Sequence, residues 1–334
     1  MNRPFRLTAV ALSASLLAAC GGGGGGDASD GGDLAPTAAI LATSTESLAL
    51  MTSGAARRIT VSNQGGLPIL ALQPAATGLP EGSSMESNCP VQLAGGASCD
   101  LLITPGAIPT AAPGDLNPSA ATVNVTSTNT PSVEVQVHVL AYGSKYQGGY
   151  VFALNDDTPS TSSIGGKVLT TQDILQAHWS PSALAIVGIN ENSLPGPDSC
   201  DGAVDGRCNT ARILAQHASE DRNFAAAQCA DSRQEGFSDW YLPALCEMGY
   251  DNEGIVNGIC GTRNAPRVAD NAQSRLYDSG PTFFFDVAYW SSTQSASNPA
   301  TDAHMALYGV TRSTPARGKQ QALLPSKCAR HITP

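Results

Sequence analysis

Between residues 58 and 140, apolar positions recur in short runs with a period of two. Val133, Val135, Val137 and Val139 alternate with Glu134, Gln136, His138 and Leu140, the pattern of a strand buried on one face. Comparable runs occupy residues 58–63, 69–72, 100–104 and 122–126, with turn residues such as Gln64-Gly65-Gly66 between them. No stripe of helical period interrupts them. Roughly six or seven short strands over residues 38–142 predict an immunoglobulin-like β-sandwich.

Past Tyr142 the pattern changes. Residues 148–154 read as a strand, and residues 209–217 and 222–230 as helices, the second carrying Phe224, Ala225, Gln228 and Cys229. Pro243 opens a third short helix over 243–248, where its missing N–H costs nothing. A long loop-like stretch, broken by Gly254, Gly258, Gly261 and Pro266, leads to strands at 287–293, 305–308 and 327–332. Strands at both ends with helices between them predict an α+β unit over 143–334. Aromatic usage divides the 334-residue chain at the same place. Apart from Phe5, every Phe, Tyr and Trp lies at Tyr142 or later, so the sandwich must fill its core without a ring.

The first residues read as an export signal. Arg3 and Arg6 precede an apolar run over residues 7–19 that is too short to span a bilayer. Leu17-Ala18-Ala19-Cys20 resembles the lipobox of bacterial lipoproteins. That resemblance implies a signal peptide over 1–19 and lipidation of Cys20. Gly21, in place of Asp, implies the outer membrane and the cell surface. Residues 20–37, opening on a glycine run, read as a flexible tether. A net charge of −10 argues against nucleic acid and against membrane contact other than through the anchor.

Export changes how the cysteines are read. Without Cys20, eight of the nine remain, an even number that implies disulfides. Cys89–Cys99 is the one pair open to the sandwich. Among the other six, several connectivities are open. Cys200–Cys208 and Cys246–Cys260 are favoured as short local loops, leaving Cys229–Cys328 as a long staple. No C-x-x-C occurs, and no metal or cofactor is expected.

Two resemblances follow. Val61-Ser62-Asn63-Gln64-Gly65, Cys89-Pro90 and residues 93–99 resemble bacterial immunoglobulin-like modules, which implies a spacer; His138 is read there as a surface residue. The blocks Gly148-Gly149-Tyr150-Val151-Phe152, Asn209-Thr210, Ala226-Ala227-Gln228-Cys229 and Gly236-Phe237-Ser238-Asp239-Trp240-Tyr241-Leu242-Pro243 come in order. Glu247, Tyr289-Trp290-Ser291-Ser292-Thr293, Gly309, Lys319 and Cys328-Ala329-Arg330 complete them. Together they resemble the C-terminal domain family of the Legionella collagen-like adhesin. The resemblance implies a C-type-lectin-like fold whose first and last strands pair, with Cys229 bridged to Cys328. Trp240 and Trp290 would then pack the core, Asp239 would cap a turn, and Ser291, Ser292 and Thr293 would satisfy backbone groups.

No G-x-S-x-G elbow or H-E-x-x-H helix is present, and His178, His217, His304 and His331 lack metal-ligand spacing. Asp198, Asp201 and Asp205 lack the spacing of a calcium loop. The expected function is adhesion or ligand recognition without catalysis, through a polysaccharide or a host or protein surface. The alternatives are a structural or self-assembling envelope protein, as a homo-oligomer, and an enzyme related to sulfatase-modifying factors. From Tyr308 onward the charged residues are Arg312, Arg317, Lys319, Lys327 and Arg330, with no carboxylate. The candidate ligand-binding residues are therefore Asp302, His304, Tyr308, Arg312, Arg317 and Lys319, on an exposed loop that grips polyanions. Replacing Arg312 and Lys319 by Ala should then leave the melting temperature nearly unchanged.

Overall fold

The computed structural model describes residues 38–251, 258–279, 288–308 and 316–333. Strands β1 (Leu41–Thr43), β3 (Arg57–Asn63), β6 (Ser98–Thr104) and β5 (Ser84–Ser87) form one sheet in that order. β2 (Ser47–Met51), β8 (Val133–Leu140), β7 (Ala121–Thr126) and β4 (Gln73–Thr77) form a second. β2 runs parallel to β8, and the other neighbours are antiparallel. Ile59, Val61, Leu101, Ile103, Val123, Val125, Val135 and Val137 point into one fully buried core. Leu and β-branched side chains fill it without a ring, as the composition requires.

The strand expected at 69–72 is reduced to a single bridge, Ile69 to Leu93. Four elements, β1, β2, β4 and β5, escaped the pattern. β4 carries Pro74 and sits at a sheet edge, the place where a missing N–H is tolerated. β5 is the polar edge run Ser-Met-Glu-Ser, and β2 has three consecutive buried residues instead of alternation.

Beyond the sandwich, the described residues mix helices with four small sheets. β9 (Lys145–Tyr146), β10 (Gly149–Asn155), β11 (Gly165–Thr170) and β19 (Ala329–His331) make an antiparallel sheet in the order β19-β11-β10-β9. The last strand thus joins β11, and it shares a sheet with the first strand without pairing to it. β12 (Ile174–Ala177) pairs with β18 (Leu324–Ser326), and β13 (Gly261–Thr262) with β14 (Ala265–Pro266). β15 (Ala288–Gln294), β16 (Asp302–Leu307) and β17 (Ala316–Gly318) form a three-stranded sheet. Helices α1 (Gly206–Gln216), α2 (Ala225–Asp231) and α3 (Leu245–Met248) lie between. α1 begins where the Asp205 carboxylate accepts from Cys208 N–H, ahead of the expected start at Asn209. α3 starts two residues after Pro243. No described helix is long and apolar enough to cross a membrane.

All four expected disulfides are present: Cys89–Cys99, Cys200–Cys208, Cys229–Cys328 and Cys246–Cys260. Residues 36–334 pack as one compact unit, and the boundary at 142/143 falls inside it. The joint is built by the segment after β10. Arg57, on β3 and fully buried, donates to the carbonyls of Asp156, Thr158, Pro159 and Ser162 and pairs with the Asp156 carboxylate. Ala49 of β2 exchanges hydrogen bonds with Ser163 Oγ and Ile164 N–H.

Candidate functional site

Of the residues expected to meet a ligand, His304, Tyr308 and Lys319 are buried. Asp302 and His304 lie on β16, the middle strand of its sheet. His304 is buried, with Nε2 3.4 Å from Glu191 Oε2. Burial alone would raise the Glu191 carboxyl, but the His304 contact and the backbone N–H groups hold it below its ordinary value. Tyr308 is 2% exposed and donates to the Met248 carbonyl at 2.9 Å. Lys319 is fully buried, with Nζ donating to Leu184 O at 2.8 Å, Gln294 Oε1 at 2.7 Å and Pro299 O at 2.7 Å. Tyr308 and Lys319 therefore face the core, which corrects the expectation that they face a ligand. Asp302 is half-buried and Arg317 is exposed. Arg312 and Cys20 lie outside the described residues.

Two more members of the expected basic patch are held inside the fold. Lys327 is buried against Asp173 at 2.8 Å. Arg330 is 2% exposed, pairs with Asp239, and stacks on Phe237 at 4.0 Å from the ring centre. Asp239 thus anchors Arg330 where the resemblance implied a turn cap. Sequence alone reads positive charge as solvated; here its counter-charges come from distant parts of the chain.

The other blocks are joints. The buried Glu247 carboxylate accepts from Lys167 Nζ at 2.6 Å, Tyr241 Oη at 3.0 Å, and the N–H groups of Gly206 and Ala244. One side chain so ties β11 to the starts of α1 and α3. Trp290 Nε1 donates to Ala177 O and Trp179 Nε1 to Ser291 O. Ser291 and Thr293 donate to the backbone carbonyls of His304 and Gly202, as implied, whereas Ser292 accepts from the Asn209 side-chain amide.

An open cleft of about 450 Å³ lies where the sandwich meets the second part, a volume within the range of small-ligand sites (~300–1,000 Å³). The sandwich contributes Leu116, Asn117 and Pro118 from the loop after β6, and His138 from β8. The opposite wall is a hairpin. Tyr146 pairs with Gly149, leaving Gln147-Gly148 as a two-residue turn with φ of 43° and 86°. Positive φ at both positions is the hairpin turn that matches strand twist. Beside it, Glu235 and Gly236 form a second left-handed turn, with φ of 53° and 85°. Among the described residues, four non-glycine residues have positive φ, and Gln147 and Glu235 both line this cleft.

Partners hold both turns. Gln147 Oε1 accepts from Arg330 Nη1 and Thr333 N–H, and its Nε2 donates to Thr333 O. Lys145 Nζ bridges Leu116 O and Glu235 Oε1, both at 3.0 Å, pinning the sandwich loop to the second turn. Gly148 has no room for a side chain, since a Cβ there would sit 2.8 Å from Phe237 Cδ2. His138 packs against Tyr146, ring centres 5.0 Å apart, and burial lowers its pKa. The side chains of Asn117, His138 and Tyr146 make no hydrogen bond with the described residues. Sequence reading passed over this site because its walls come from segments far apart in the chain. The Gln147-Gly148-Gly149 turn was its one local signal.

No family model matches this chain. No curated protein matches it. Among solved structures it is similar to domains 4 and 5 of the S-layer protein SbsC, at 13% identity and a TM-score of 0.23, covering 32% of this chain and 54% of that one. It is also similar to the E. coli chaperone DraB (15%, TM-score 0.25, 42% and 76%) and to the secreted serine protease VesC from Vibrio cholerae (16%, TM-score 0.24, 45% and 38%). The chain spans about half of the SbsC fragment. Likenesses this slight define neither a fold nor a function.

Proposed function

We propose that the chain is an exported, lipid-anchored recognition protein that binds its ligand without catalysis. In this reading the sandwich is immunoglobulin-like, the second part is C-type-lectin-like, and Cys20 carries the lipid at the outer membrane. The observation that carries the reading is the junction cleft, where two positive-φ turns and three uncommitted polar side chains meet. Polar groups left open beside a strained, well-braced backbone are what a binding site needs and a plain spacer does not. Four disulfides suit an oxidising compartment outside the cytoplasm.

Two measurements test it. Acyl-chain labelling should mark the wild type and vanish in Cys20→Ser, with the variant lost from the outer-membrane fraction. Cells displaying the full chain should attach to members of a panel of immobilised polysaccharides and proteins, and Asn117→Trp should block attachment by filling the cleft. Attachment that Asn117→Trp leaves unchanged would remove the cleft from the function. A chain that attaches to nothing and self-associates would be an assembly protein.

A further inference from the structure

The cleft's chemistry points away from the polyanion that the basic C-terminal sequence suggested. Lys145 is its one lysine or arginine, and that charge is already spent on Glu235 and the Leu116 carbonyl. A sulfate or carboxylate entering here would meet the Glu235 carboxylate and find no uncommitted cation. The groups that are open are of a different kind. Asn117 offers an amide that both donates and accepts, Tyr146 a phenol that does both, and His138 an imidazole. Burial favours the neutral form of that imidazole, which has one donor and one acceptor nitrogen.

Neutral groups that donate and accept match hydroxyls, which do the same. Apolar surface lies alongside. Phe237 is half-buried, its orientation fixed by the Arg330 guanidinium over its ring and by Gly148 against its edge. Leu116, 56% exposed, and Pro118 face it from the sandwich loop. The C–H face of a sugar ring needs such a surface, while its hydroxyls need the three polar groups.

We propose that the junction cleft binds a neutral saccharide unit through Asn117, His138 and Tyr146, with Phe237, Leu116 and Pro118 against its apolar face. This rests on the reading of the cleft as the recognition site and adds the ligand's chemical class. Both parts of the chain contribute contacts, so the sandwich is half of the binding site.

The test uses the full chain on an array of neutral, carboxylated and sulfated glycans, followed by titration with the best neutral binder. Asn117→Ala and Tyr146→Phe remove only side-chain atoms that bond to nothing in the protein, so both variants should fold. Each should weaken binding about five- to tenfold, the effect of one lost hydrogen bond. Binding should change little as salt rises to about 0.5 M, since no charge pair carries it. Three outcomes would overturn the proposal: binding confined to sulfated or carboxylated glycans, neutral-glycan binding that both variants retain, or no glycan bound at all. Surface attachment still blocked by Asn117→Trp, with no glycan bound, would refute the ligand class and leave the recognition reading standing.

Discussion

The Lys319 ammonium lies 4.4 Å from the centre of the Trp179 ring and donates to three acceptors, Leu184 O, Gln294 Oε1 and Pro299 O. Removing it leaves those acceptors buried and unpaired. Arg312→Ala with Lys319→Ala should therefore destabilise the protein by about 3 kcal/mol or more, where sequence reasoning expected no change. Denaturant unfolding of the double variant and of Lys319→Ala alone checks this. An unchanged midpoint would mean that Lys319 contributes no net stability.

The same group sets a pH dependence. Burial pushes Lys319 down to about 7, with the Asp302 charge opposing, while an unfolded lysine titrates near ~10.4. Between those values the unfolded chain holds more protons than the folded one, so this site adds stability as pH rises from about 7 toward 10. The stability difference between wild type and Lys319→Met should widen between about pH 7 and pH 9. A difference that shrinks over that window would contradict the direction.

Arg57 makes a prediction about cooperativity. The two terminal nitrogens of its buried guanidinium donate to the segment from Asp156 to Ser162. Arg57→Ala should cost about 3–5 kcal/mol, as expected when one member of a buried pair is lost. In calorimetry the wild type should unfold in one transition and the variant in two. Two transitions in the wild type would mean that the parts fold independently.

The Cys229–Cys328 bond ties α2 to the residue before β19 across 99 positions of sequence. Replacing either cysteine by Ser should cost about 2–5 kcal/mol, and the double variant should match the single ones. Thermal denaturation of all three against wild type decides the matter. Additive losses would show that each cysteine matters for packing and not for the bond.

Gly148 lines the cleft with no room for a side chain. Gly148→Ala forces a Cβ into a backbone with φ of 86° and against Phe237. The backbone alone should cost about 1–2 kcal/mol. Measured stability and glycan affinity should fall together, because the turn and the cleft are one structure. A variant as stable as wild type would mean that the hairpin rearranges at little cost.

Sequence made the sandwich legible through alternation in β3, β6, β7 and β8, because each buries one face. It hid β4 and β5, whose edge positions tolerate Pro74 and polar residues, and β2, which is buried too continuously to alternate. An even count implied disulfides without choosing among the pairings of six cysteines; preferring short local loops led to the pairs that are present. The burial of the candidate binding residues was not legible. Charges at Lys319, Lys327 and Arg330 look solvated until Trp179, Asp173 and Asp239 arrive from elsewhere in the chain. A cleft built across the sandwich junction leaves only one turn in the local pattern.

The parallel pairing of β2 with β8 has a mechanical consequence. Its five residue pairs run from Ser47–Gln136 to Met51–Leu140, and β8 leads straight into the cleft's hairpin. Tension entering ahead of β2 and leaving beyond β8 pulls two parallel strands in opposite directions along their length. All the hydrogen bonds between them are then loaded at once in shear, where an antiparallel hairpin pulled from its ends would unzip one bond at a time. Tension between the chain ahead of β2 and the chain beyond β8 would thus act along the direction in which the sandwich yields least.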